Sequence, residues 1–116
     1  SVLLAQGYGC APGILGVCIG GDRADSLKAA KKELFKNLDF TNPDSELAAI
    51  ESEIFQKSNL LGIGPMGYGG KTTLLGLHIT KLNRIPASFF VSISYMCWAC
   101  RRRTLKYYPD GRFEID

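Results

Sequence analysis

The sequence predicts an α/β fold of mixed order (α+β): two amphipathic helices packed on a small mixed sheet, with a C-terminal β-hairpin. Three patterns carry this expectation. Apolar residues recur at helical spacing across Leu27, Ala30, Leu34, Phe35 and Leu38, and again across Leu47, Ile50, Ile54 and Phe55. Ala87 to Cys97 alternates at the period of a strand. Phe89, Val91, Ile93, Tyr95 and Cys97 fall on one side, and Ser88, Phe90, Ser92, Ser94 and Met96 on the other. Tyr107 to Phe113 turns on Pro109-Asp110-Gly111, a hairpin signal.

Taken in order, Val2 to Ala5 reads as the end of a strand, and Gly7, Gly9 and Gly13 make a tight loop that carries Cys10. Ile14 to Ile19 is an apolar run of buried-strand length, ended by Gly20-Gly21. Asp22 or Asp25 caps the first helix, which is expected to reach about Leu38 behind a lysine-rich surface of Lys28, Lys31, Lys32 and Lys36. Asn42-Pro43-Asp44 opens the second, with proline suited to the first helical position. Leu60 to Gly70 is glycine-rich, and Thr73 to Thr80 reads as a strand. Asp22, Asp25, Glu51 and Glu53 read as caps or solvated faces.

A chain of 116 residues is one domain at most, with room for a modest core. A hydrophobic share of 46% beside 22% charged residues argues against disorder. The net charge of +3 is too mild for a nucleic-acid partner. The basic excess is local, at Arg101-Arg102-Arg103 and Lys106, and reads as a solvated edge, with an anion or subunit contact as the alternative. No apolar stretch has transmembrane length, so no membrane role is expected. The N-terminus lacks a basic region and a long apolar run, so it is no signal peptide. It opens without Met on apolar residues, which reads as a cut into a longer chain. Four cysteines without secretory features point to a reducing, cytoplasmic setting.

Three blocks carry candidate chemistry. Gly62-Ile63-Gly64-Pro65-Met66-Gly67 matches G-x-G-x-x-G, but a helix precedes it and a strand follows, the reverse of the dinucleotide fingerprint. Gly70-Lys71-Thr72 fails as a P-loop, because the first glycine would fall at Pro65. A structural turn remains, or a loop whose backbone N–H groups, with Lys71, Thr72 and Thr73, meet a dianion. Cys97-x-x-Cys100 lacks the helix start that activates redox pairs. The wide Cys10–Cys18 spacing suits a four-cysteine zinc knuckle poorly. Cys18 and Cys100 read as small buried hydrophobes. His78, the sole histidine, lies in a strand and reads as packed, with a catalytic role as the alternative.

In combination, Cys10-Ala11-Pro12 before a strand, the loop Gly64-Pro65-Met66-Gly67-Tyr68-Gly69-Gly70-Lys71-Thr72-Thr73, and Cys97-Trp98-Ala99-Cys100-Arg101-Arg102 resemble the α subunit, or N-terminal catalytic domain, of class I fumarate hydratase and L-tartrate dehydratase. The resemblance covers about Gly9 to Phe113. It implies an oxygen-sensitive hydro-lyase whose 4Fe–4S cluster is held by three cysteines, the fourth iron binding substrate as a Lewis acid. By motif match Cys10 and Cys97 are the second and third ligands, and the first lies upstream of Ser1. Gly69, Gly70, Lys71, Thr72, Thr73 and Arg84 become candidates for substrate binding, and Lys71, Thr72 and His78 weak candidates for proton transfer. The family's Arg-His-Pro triplet is here Arg84-Ile85-Pro86, and isoleucine neither transfers a proton nor hydrogen-bonds.

The expectation is therefore a C-terminal portion of an α-type catalytic domain, residues 1–116 forming one domain or fragment. It would act on fumarate or tartrate with a β subunit or C-terminal domain as partner, in an oligomer, and be inactive alone. The competing expectations are a non-catalytic interaction module and a zinc- or disulfide-stabilised domain.

Overall fold

In the computed structural model, residues 1–5, 9–100 and 102–115 are described. Gly7 of the expected Cys10 loop and Arg101 of the basic run lie outside the described residues. A three-stranded sheet forms the centre. Strand β1, Gly13–Gly21, lies between β2, Leu74–Arg84, and β3, Val91–Cys97. β1 runs parallel to β2 and antiparallel to β3. Its place in the middle explains its nearly unbroken apolar sequence, since a central strand covered on both faces has no polar side.

Helices α1, Arg23–Glu33, and α2, Ser45–Leu60, cover opposite faces. Successive residues of β1 point to opposite sides. Leu15 and Val17 join Leu77, Ile79 and Leu47 of α2 in the main core, with Ile54 and Phe55 packed against it. Gly16 points the other way, toward α1. A Cβ on Gly16 would stand 2.0 Å from the Ala30 carbonyl oxygen, so α1 lies close to the sheet. Ser26, Ala30 and Ser94 are small, and all three are buried in the fold.

Both helix starts are capped by aspartate. Asp22 Oδ1 accepts from the Asp25 N–H at 2.7 Å. Asp44 Oδ1 accepts from Glu46 and Leu47 at 3.1 and 3.3 Å, and Asp44 also pairs with Lys81. These bonds, the Lys81 contact foremost, hold the Asp44 carboxyl below the usual carboxylate range. Asp44 is the N-cap, so Pro43 precedes the helix and does not open it. Strands β4, Leu105–Tyr107, and β5, Phe113–Ile115, form the expected C-terminal hairpin.

Four local expectations change. Val2 to Ala5 is a turn closed by Ala5 N–H to the Ser1 carbonyl at 2.9 Å, and no strand. α1 stops at Glu33, and the chain leaves it through shorter-range bonds from Leu34, Phe35 and Lys36 to Lys31, Lys32 and Glu33. Of its expected stripe, Ala30 and Leu34 are buried while Leu27, Phe35 and Leu38 are exposed. In α2 Leu47 is buried but Ile50 is exposed, because that helix faces the sheet along Leu47, Glu51, Ile54 and Phe55. β3 begins at Val91, and its apolar side is its open one. Val91, Ile93 and Tyr95 are exposed, whereas Ser94 is buried on the α1 side.

Candidate functional site

The three sequence blocks meet at one corner of the sheet, where β1 begins and β3 ends. Antiparallel pairing sets Gly13 opposite Cys97. Three consecutive carbonyls of the Cys10 loop then accept hydrogen bonds from two separate segments, the end of β3 and the glycine loop. Tyr95 Oη donates to the Cys10 carbonyl at 2.7 Å. The Met66 N–H, in the glycine loop, donates to Ala11 at 2.9 Å, and the Trp98 N–H donates to Pro12 at 3.0 Å. Cys10 is exposed and Cys97 half-buried, both as free thiols. Burial raises the Tyr95 phenol above its ordinary range, and the nearby Cys97 and Cys10 thiols push the same way. Tyr95 is therefore a protonated donor.

The glycine loop is shaped by its own backbone. Gly64 has φ of +65° and would place a Cβ 2.2 Å from the Gly69 carbonyl carbon, so only glycine fits. The Gly69 N–H closes the loop on the Ile63 carbonyl at 2.8 Å. Thr73 is buried, and its hydroxyl accepts from the Gly64 N–H at 3.2 Å. Gly69, Gly70, Lys71 and Thr72 remain exposed beyond it. Asn59 of α2 fixes the exit: its Oδ1 accepts from the Thr73 and Leu74 N–H groups at 2.7 and 2.9 Å.

Beside the corner is a mainly apolar cavity of about 350 Å³, walled by Ala11, Leu15, Ile63, Leu74, Ile93 and Tyr95 among others. The loop thus stands between an apolar recess and solvent, with Lys71 in its exposed stretch. Such a loop offers N–H groups and a cation to a small anion.

Other candidates lie elsewhere. His78 is buried on the α1 face, in register with Gly16, with its ring edge-on to Phe40 at 5.9 Å. Burial holds its imidazole below the ordinary histidine range, with Glu51 opposing. Arg84 ends β2, whereas the thiols adjoin the start of that strand, and the full strand length of about 30 Å separates them. Among the described residues, the Arg84 guanidinium donates to the Pro86 carbonyl, at 3.5 Å. Ile85 follows it at that far end. Cys18 is fully buried under α1, where burial pushes its thiol up, so it behaves as the small hydrophobe expected. Cys100 is exposed, contrary to the buried reading, because it sits in the turn closed by its N–H on the Cys97 carbonyl at 3.1 Å. The four thiols cannot share one tetrahedral ion when Cys18 lies inside the α1 face. No helix follows Cys100 among the described residues, so a helix-activated redox pair is not formed.

Sequence reasoning missed four supporting residues, Asn59 among them. Tyr95 looked like one more apolar strand position. Glu51, read as a cap or solvated, is buried: its Oε1 accepts from the Ile79 N–H at 2.6 Å and from Asn42 Nδ2 at 2.8 Å. Asn42 Nδ2 also donates to the Ile79 carbonyl at 2.8 Å. Together they close part of the outer edge of β2. Their only sequence signal was a carboxylate next to the apolar stripe of α2.

Two cysteines held beside a backbone-shaped glycine loop define a class: α/β chains that present two thiols and a glycine loop at one end of a sheet. The chain belongs to the fumarate hydratase (Fumerase) family, whose model matches residues 1–106. It is 53% identical over 110 residues to a Geobacillus stearothermophilus protein named "Putative fumarate hydratase class I", covering 95% of this chain and 21% of that protein. It is 42% identical over 108 residues to the "Putative L(+)-tartrate dehydratase subunit alpha" of Methanocaldococcus jannaschii, covering 93% and 38%. With the "L(+)-tartrate dehydratase subunit alpha" of Escherichia coli K12 it shares 32% over 105 residues, covering 90% and 35%. The chain therefore spans between a fifth and two fifths of the length of these relatives.

Proposed function

We propose that this chain is part of an iron–sulfur hydro-lyase that adds water to, or removes it from, a small dicarboxylate. Fumarate to malate is the first reading, and tartrate dehydration the second, following the names its relatives carry. The observation that carries the reading is the convergence of Cys10, Cys97 and the glycine loop through three successive carbonyls.

The donor set fits a 4Fe–4S cluster in part. Thiolates are its protein ligands. Cys10 and Cys97 offer two, neither of them buried. Among the described residues no third cysteine, histidine or carboxylate joins them. The third thiolate is assigned to the rest of the enzyme. When bound, such a cluster supplies a Lewis-acidic iron to the substrate's oxygen atoms. The chain's own part is to hold the ligands and to bind a carboxylate at Gly69, Gly70, Lys71 and Thr72. Thr73 holds the loop through Gly64. His78 and Arg84 are left out, because their positions do not support a role at this corner. As the family resemblance implies, the remaining ligand comes from α-type sequence outside this chain, and the rest of the substrate site from the β subunit or C-terminal domain, so the isolated chain is inactive. An oxygen-sensitive centre suits the reducing cytoplasm, and a shared site suits an oligomer.

The test is iron and acid-labile sulfide content after strictly anaerobic reconstitution, with Cys97→Ser as control. Iron and sulfide bound by the chain and lost in the variant support the reading. Iron and sulfide bound in equal amounts by both overturn it.

A further inference from the structure

We propose that Tyr95 is the positioning residue that sets the Cys10 thiol relative to Cys97, its ring and hydroxyl together locking the Cys10 loop to β3. This rests on the reading of Cys10 and Cys97 as ligands, but its evidence is geometric. Tyr95 stands two residues before Cys97 on the same side of β3. Its hydroxyl donates to the carbonyl of Cys10 itself, at 2.7 Å. The other two bonds to the loop come from backbone N–H groups, so among these three ties only Tyr95 depends on a side chain.

The glycines on either side of Cys10 complete the lock. A Cβ on Gly13 would fall 2.3 Å from Tyr95 Cζ, and one on Gly9 would fall 3.2 Å from Cε1. Gly13 is not among the residues with positive φ, so its backbone does not demand glycine. The ring does, by occupying the space where a side chain would start. One aromatic side chain therefore fills two glycine notches and bonds the residue between them. Partners behind the ligands of a metal centre orient those ligands, and their loss typically weakens metal binding about 10- to 100-fold.

The test uses the full chain carrying Cys100→Ser, with and without Tyr95→Phe, which keeps the ring and removes the hydroxyl. The first readout is cadmium affinity, followed by thiolate-to-metal charge-transfer absorbance under anaerobic conditions. The second is iron and sulfide retained after reconstitution. Melting temperature and the unreactive state of buried Cys18 serve as folding controls. Tyr95→Phe is expected to weaken cadmium binding by about tenfold or more, with Cys18 still protected. Gly13→Ala should do the same by displacing the ring, and Tyr95→Ala combined with Gly13→Ala should relieve that clash and recover melting temperature without recovering affinity. Unchanged cadmium affinity in both Tyr95→Phe and Gly13→Ala overturns the inference. If cadmium affinity falls as expected but the iron and sulfide retained do not depend on Cys97, the iron–sulfur reading fails and the positioning role stands. If iron and sulfide are held and cadmium affinity is unchanged by the variants, the reverse is true.

Discussion

At His78 a titratable ring replaces what would otherwise be an ordinary core position. It is 3% exposed, and burial lowers its pKa from the usual 6.5, while Glu51 raises it and Lys36 lowers it. A base whose folded pKa is depressed stays neutral in the fold and takes up its proton more readily when unfolded. Its contribution is complete above about 6.5 and declines as pH falls through that value toward the lower folded pKa. Urea midpoints should therefore fall between pH 7 and pH 5, and His78→Phe should flatten that slope. The strand placement of His78 and its packed character were legible from its apolar neighbours. The burial of Glu51 was not, because a carboxylate beside a helical stripe reads as solvated until its partner is known. That partner is an edge N–H of β2, and sequence does not say which strand lies at an edge.

At the scale of elements, close packing and edge protection hold the site in place. α1 approaches the sheet at Gly16, where a Cβ would meet a backbone oxygen that no rotamer change can move. Gly16→Ala should destabilise the chain by about 3 kcal/mol or more, read from chemical denaturation. α2 fastens β2 with side chains. Asn59→Ala leaves the Thr73 and Leu74 N–H groups without their partner. It should cost about 2–3 kcal/mol and loosen the Lys71–Thr72 segment, seen as faster amide exchange there. Both helices and β3 were legible from periodicity, and β1 from its apolar run, whereas the strand expected at Val2 to Ala5 is a turn. The end of α1 was not: Leu34 still packs beyond the last helical turn, and Leu38 still approaches the sheet at Gly76, so the apolar spacing outlasts the helix. Which face of β3 is covered was not legible for a related reason. Alternation reveals two faces but not which one receives a helix, and the close approach of α1 admits serine there while Val91, Ile93 and Tyr95 face outward.

For the whole molecule, that outward face and the cavity beside it leave an apolar surface next to the thiol corner. Large residues on it contribute little to the stability of this chain. Ile93→Ser should cost less than about 1 kcal/mol, in contrast to Gly16→Ala. The β4–β5 hairpin packs on no other helix or strand among the described residues. The meeting of the Cys10 loop, the glycine loop and Cys97 was legible only as a resemblance of motifs. Their contact depends on a register that pairs Gly13 with Cys97, and on carbonyls that no sequence pattern marks.

The central claim is that this corner, and not the other two cysteines, receives the iron–sulfur centre. Its most direct measurement is peptide-level mass spectrometry of thiol alkylation, before and after anaerobic reconstitution with iron and sulfide. The account predicts that Cys10 and Cys97 become protected together, while exposed Cys100 is labelled at an unchanged rate and buried Cys18 stays unlabelled in both states. Labelling of Cys10 or Cys97 as fast with bound iron and sulfide as without would contradict it.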